Sequence, residues 1–251
     1  MSFHLALYSA SIASAAANVQ LAAVADPVFA PAASGLLVNG LWPNVMRVCG
    51  VGNLLNRAQL NSASIRDFTP FDLNPVNVGT AIESPGRYLD FSGAPIPLKV
   101  NEELDVFVTN SAATATQTTV GIWFSDSPPM PVKGRVFSVH WTITATFAAA
   151  GFTAFTPIFD SGLPSGTFAL VGSRLKSVSG LFHRFIPRGG APNRPGTTSC
   201  QAYDDHPEMF DRYGAMGEFL RFTSTTPPQI EAFQLAADAA AEGFLDLIQV
   251  A

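Results

Sequence analysis

Charge is what this sequence has least of. Only 13% of its 251 residues are Asp, Glu, Lys or Arg, about half the share of an average soluble domain. No Lys or Arg precedes Arg47, no basic run follows it, and the net charge is −5. A cationic arm that neutralises nucleic-acid phosphates is thereby excluded, and with it direct sequence-specific nucleic-acid binding. There are two cysteines, Cys49 and Cys200, at no metal-binding spacing; the expectation is two buried free thiols. Of the four histidines, His4, His140, His183 and His206, none lies within two residues of another. G-x-S-x-G, H-E-x-x-H and a phosphate-cradling glycine loop are all missing, and "GVGNLL" after Val48 is not the full dinucleotide fingerprint. No catalytic, cofactor-binding or metal residue is assigned, no cofactor is expected, and the chain is read as a non-enzyme. Residues 5–25 carry no charge, yet Ser, Asn and Gln interrupt them and no basic residue precedes them, a poor fit to a signal peptide or a spanning helix.

What the sequence has instead is glycine (20), proline (19) and phenylalanine (20). That mixture suits many short strands joined by turns. A surface so weakly charged is normal for a subunit packed among its copies and poor for a solitary soluble protein.

The chain also repeats itself. "FHLALYSASIASAAANVQLAAVADPVF" (Phe3 to Phe29) parallels "FSVHWTITATFAAAGFTAFTPIF" (Phe137 to Phe159). In both, apolar residues alternate with the period of a half-buried strand, three alanines and an Asn or Gly follow, and a second alternating run ends in Pro, a β-branched residue and Phe. The expectation is one hairpin written twice, with Asn18 and Gly151 in the same left-handed turn position. Further on, "SGLLVNGLWPNVMRV" from Ser34 resembles "SGTFALVGSRLKSVSGLF" from Ser165, each strand opened by Ser-Gly. "GRYLDFSGAPIP" (Gly86 to Pro97) aligns without gaps to "GEFLRFTSTTPP" (Gly217 to Pro228). Lastly "LDVFVTNSAATATQTTVGIWF" (Leu104 to Phe124) parallels "AFQLAADAAAEGFLDLIQV" (Ala232 to Val250).

The last pairing resolves an ambiguity. By propensity alone the C-terminal stretch reads as a helix, but its partner is strongly β in composition. Strands over Phe233–Ala237 and Phe244–Val250, around an "AAAEG" turn, are therefore expected. Four matches in the same order predict two copies of one β domain, 1–126 and 135–251, joined by the proline-rich linker 127–134, part of "SDSPPMPVKG". Between the matches, Asn53–Phe68 has apolar spacing compatible with a short helix or a loop crossing. Ala202–Gly217 occupies the equivalent place in the second half.

About eight short strands in each half, with a long middle crossing, suit a jelly roll, two facing sheets in Greek-key order. The predicted fold is all-β, two tandem jelly rolls from an internal duplication with few short helices. With this duplicated β pattern, the chain resembles the double jelly-roll major capsid proteins of tailless icosahedral bacteriophages and related viruses. The resemblance spans the whole chain and rests on architecture and composition; "RAQLNSASIRDFTPFDLNPVNVG" (Arg57 to Gly79) adds to it. It implies homotrimers in which six jelly rolls make a pseudo-hexagonal tile, with tiles packed into an icosahedral shell. It also implies short loops, location in the virion after assembly in the host cytoplasm, and partners among penton, minor capsid or membrane proteins. With no basic N-terminal arm, a membrane or separate proteins would line the inner surface.

Three other readings compete. A tandem metal-binding cupin would need a His-x-His pair with a Glu and a further His, which the histidine spacing denies. The cluster "YDDHPEMFDR", with Asp204, Asp205, His206, Glu208 and Asp211, has the hard oxygen ligands a divalent cation takes. Read more plainly, it is a solvated or subunit-contact loop with Asp205 capping a short helix ahead of His-Pro-Glu. Trp42, Trp123 and Trp141 would suit a sugar platform in a carbohydrate- or receptor-binding β-sandwich, but each sits in an apolar strand pattern that points to core packing.

Overall fold

The structure is a computed structural model that describes residues 2–32, 35–65, 71–73, 88–130, 132–189, 191–201 and 212–250. Among these residues every element with a full range is a strand, and only Ile65 is in a 3₁₀ conformation. The chain divides into two compact units, His4–Pro128, and Pro129–Ala251 together with Met1–Phe3.

In the first unit, β1 (Phe3–Ile12), β10 (Thr116–Ser125), β4 (Asn44–Gly52) and β7 (Leu89–Asp90) form one sheet in that order, with β8 (Ile96–Pro97) also on β4. The facing sheet runs β2 (Val19–Gln20), β9 (Glu103–Asn110), β5 (Leu55–Asn61), β6 (Phe71–Leu73), with β3 (Leu36–Leu37) also on β9. In the second unit, β13 (Ile158–Phe159), β11 (Val136–Phe147), β20 (Asp238–Gln249), β14 (Thr167–Ser177) and β17 (Cys200–Gln201) form one sheet, with β18 (Leu220–Thr223) also on β14. Its facing sheet is β12 (Phe152–Phe155), β19 (Gln229–Gln234), β15 (Gly180–Ile186) and β16 (Gly196–Thr198).

When the eight principal strands of each unit are numbered in chain order, both units read 1-8-3-6 in one sheet and 2-7-4-5 in the other. That is the jelly-roll order. The bulges coincide as well. Strand three skips one residue against strand eight, at Met46 in one unit and Val171 in the other. Strand four skips one against strand seven, at Asn56 and Leu181. A bulge is a specified feature of a strand, so identical placement of two of them supports duplication more strongly than composition does.

The core of the first unit lies between its two sheets. In the first unit Ala6, Tyr8, Val45, Val48, Val120, Ile122 and Phe124 face Leu55, Ala58, Leu60, Leu104, Val106 and Val108. Each fully buried large side chain contributes about 1.5–3 kcal/mol. Tyr8 donates its hydroxyl across the core to the Leu104 carbonyl at 2.6 Å, and burial pushes its pKa up. The first part of the uncharged run, residues 5–12, is thus strand β1, mostly buried and paired in a sheet.

Several sequence expectations are corrected. The repeated N-terminal passage is not a hairpin. β1 and β2 lie in different sheets, as do β11 and β12, and the chain then returns beside the first strand, at Tyr8–Ala23 and Trp141–Phe159. The left-handed residues are Ala15 and Asn18 in one copy but Ala150, not Gly151, in the other. Their conformations are set by bonds to neighbouring strands and loops, Ala15 N–H to the Ala112 carbonyl and Ala150 N–H to that of Gln234. The Ser-Gly match also fails. Gly35 leads into β3, pressed on the Leu104 carbonyl where a Cβ has no room, whereas the counterpart of β14 is β4. Asn53–Phe68 contains strand β5, not a helix or loop crossing. The C-terminal stretch is β as expected, but the break falls at Leu235–Ala237 and "AAAEG" lies inside β20. Gly243 is there because a Cβ would strike the Arg174 carbonyl and the Trp141 ring.

Candidate assembly surface

The residues singled out in the sequence mostly serve structure. Trp42, Trp123 and Trp141 are buried and offer no sugar platform. Cys49 and Cys200 are buried free thiols. His4 meets Asp26 at 2.9 Å, stacked near Phe29 and Trp42. His183 joins the two sheets of its unit, Nε2 to Ser173 Oγ at 2.9 Å and Nδ1 to Ser199 Oγ at 3.0 Å; burial pushes its pKa down to about 3. His140 lies against Asp160, Nδ1 to Oδ2 2.5 Å. His206 and the cluster Asp204, Asp205, Glu208, Asp211 lie outside the described residues. Among the described residues no three His, Cys, Asp or Glu side chains gather closely enough to hold a metal ion.

Two surfaces stand out, each within one unit. At one end of the first unit, loop 38–43 is hydrogen-bonded to segment 98–102, Val38 N–H to the Glu102 carbonyl and Asn101 N–H to that of Val38. Leu41 (60% exposed) and Val100 (57%) project from these loops, and Gly40 lets the Val100 methyls approach. No charged residue occurs from Pro27 to Met46. Beside them lies a cleft of about 380 Å³ with Lys99, Glu102, Glu103 and Asp105 in its lining. Glu102 is the post of this end. Burial would raise its pKa, but hydrogen bonds from Ser62, Ser64 and the Lys99 N–H together pull it below the usual carboxylate range. Ser64 donates both N–H and Oγ–H to it at 2.6 Å, and Lys99 N–H donates at 2.9 Å.

In the second unit, the outer face of the sheet around β20 forms a groove of about 300 Å³. Ala240 and Glu242 line it together with Thr142 and Thr144 of β11 and Lys176 and Val178. Val178 is 68% exposed. Next to it, segment 212–217 crosses the sheet, because Gly172 leaves space for the Arg212 and Tyr213 backbone. Arg212 holds it there by a two-pronged bond to the buried Asp246, Nε–Oδ2 2.7 Å and Nη2–Oδ1 2.6 Å. The sequence held no signal for this pair. Arg212 borders the acidic cluster at 204–211, and Asp246 sits in an apolar strand.

Chemically these surfaces set exposed apolar side chains (Leu41 and Val100 on one, Val178 on the other) beside charged ones (Lys99, Glu103 and Asp105; Lys176 and Glu242) on a sheet or loop frame, suited to contact with another protein surface. No family model matches the chain, and no curated protein matches it. Among solved structures it is similar to the STIV major capsid protein, with 9% identity, a TM-score of 0.26 and 97% of both chains covered. It is also similar to the major capsid protein P2 from bacteriophage PM2, with 9% identity, a TM-score of 0.24 and 98% of both chains covered. A third similar chain belongs to the atomic structure of Sulfolobus Turreted Icosahedral Virus, with 8% identity, a TM-score of 0.25, and coverage of 97% of this chain and 91% of that one.

Proposed function

We propose that the protein is a viral structural subunit, the repeating unit of a capsid, that assembles as homotrimers into an icosahedral shell. The observation that carries this reading is the same eight-strand jelly roll twice in one chain, bulge for bulge. Three such chains present six similar blocks around a threefold axis, and blocks of that symmetry tile a curved surface. The scarcity of charge and the exposed Leu41, Val100 and Val178 support burial of these surfaces against neighbouring copies. In this reading the domains are 1–126 and 135–251, with 127–134 as the joint. The mechanism is self-assembly, with assembly in the host cytoplasm and further contacts to penton, minor capsid or membrane proteins of the same virion. No catalytic, cofactor or metal residue is assigned.

Light scattering on a size-exclusion column tests it. One chain is 26.5 kDa, so a homotrimer elutes with a mass of about 80 kDa and shells elute in the void. A stable monomer at micromolar concentration refutes the reading.

A further inference from the structure

The two units place a side-chain amide at the same point and treat it differently. β9 ends at Asn110, which pairs with Leu55 just before the bulge of β5; β19 ends at Gln234, which pairs with Gly180 just before the bulge of β15. Both amides are buried. In the second unit Gln234 Oε1 accepts from Ser177 Oγ at 2.8 Å and from Ser179 Oγ at 3.4 Å, although Gln234 Nε2 has no protein partner. Ser177 closes β14; by the register of the bulges its counterpart at the end of β4 is Gly52. The first unit therefore has no hydroxyl there and an amide one methylene shorter. Its hydroxyl stands instead across the ladder from Gly52, on Thr118 of β10.

Neither group reaches the other. Asn110 Oδ1, Asn110 Nδ2 and Thr118 Oγ1 are all buried without a hydrogen-bond partner, and Asn53 Oδ1 in the adjoining turn is too. Asn110 continues the inward row Leu104, Val106, Val108, and Thr118 continues the inward row Val120, Ile122, Phe124 of the facing sheet. Facing sheets stand about 10 Å apart, a span that short Asn and Thr side chains do not close. Gly52 keeps the space open, since a Cβ there would stand 2.8 Å from Thr118 Oγ1.

We infer that this end of the first unit binds an internal water molecule between Asn110 and Thr118, in the role that Ser177 Oγ plays in the second unit. The chemistry selects water. Buried polar groups of native proteins are almost always paired, and here both an amide N–H donor and two oxygen acceptors need one. Water donates and accepts at once and takes about three hydrogen bonds in such sites. A cation would find no carboxylate among these groups.

The test is a density map of the assembled or free full-length protein at a resolution that shows ordered solvent, with the Asn110→Gln variant beside it. A single peak within hydrogen-bond distance of both the Asn110 amide and Thr118 Oγ1 supports the inference, as does its loss in the variant, whose longer amide reaches Thr118 directly. A dry gap, or an Asn110 amide turned onto a protein partner, overturns it. A peak ringed by oxygens at cation-coordination distances overturns it also. Water-oxygen relaxation dispersion gives an independent reading: the Asn110→Leu, Thr118→Val double variant should lose one long-lived internal water, and an unchanged count refutes the assignment.

Discussion

Arg212 and Asp246 form a two-pronged ion pair on the outer face of a sheet, with the Asp246 side chain fully buried and that of Arg212 only 10% exposed. Ser138 donates its hydroxyl to the same carboxylate at 2.5 Å. Removing one partner of a buried pair strands the other charge and costs about 3–5 kcal/mol. Asp246→Ala should therefore lower the melting temperature sharply. Arg212→Met with Asp246→Leu should recover most of the loss, because no charge is left unpaired. A double variant as unstable as the single one counts against the pair as described.

His183 makes the second unit sensitive to acid. Its folded pKa, about 3, lies below its ordinary 6.5 because burial disfavours the cation. Below pH 6.5 the unfolded chain takes up a proton that the folded chain refuses, so stability falls as the pH drops from 6.5 toward 3. At a pH of about 4.5 the deficit is on the order of 2–3 kcal/mol. The His183→Gln variant should show a flatter stability profile across that window. Parallel profiles for the two proteins would sink this account.

Glu102 also makes the fold acid-sensitive, because hydrogen bonds that favour its charged form hold its pKa below the usual carboxylate range. Its contribution is complete above the usual carboxylate range and is lost as the pH falls through the folded value. Glu102→Ala leaves the Ser64 and Lys99 donors without their acceptor, at about 1–3 kcal/mol. Denaturant titration at neutral pH and again at low pH should find the gap between variant and parent shrinking in acid.

Gly243→Ala tests the register of β20. The added methyl meets a backbone carbonyl and the Trp141 ring, neither of which can move aside easily. Destabilisation at the upper end of about 1–3 kcal/mol or beyond is expected, read as loss of soluble protein or of the cooperative melt. The neighbouring Ala239→Ser, at an exposed position, should be neutral.

The assembly surfaces are tested by charge. Leu41→Asp with Val100→Asp replaces the two exposed apolar side chains at this end of the first unit with carboxylates, and both side chains are more than half exposed. The variant should keep the parent's melting temperature when dilute and lose higher-order assembly in light scattering. Unchanged assembly removes that end from the interface.

The all-β class, the doubling of the chain, the burial of Trp123 and Trp141 and the β character of the C-terminal stretch follow from composition, alternation and internal repetition alone. Alternation reports which side chains share a face, since successive residues of a strand point to opposite sides. It does not report which strand lies alongside, so β1 and β2 read as a hairpin when they belong to opposite sheets. The bulges mattered as much. Leu55 and Ala58 both face the core three positions apart because Asn56 is an extra residue against β9, and that spacing imitates a helix. The acidic cluster legible at 204–211 lies outside the described residues, while the Arg212–Asp246 clamp, the His183 bridge and the unequal treatment of Asn110 and Gln234 went unread. Each depends on residues far apart in sequence, on different strands or on a loop laid against one, and such juxtapositions exist only once strand order and register are set.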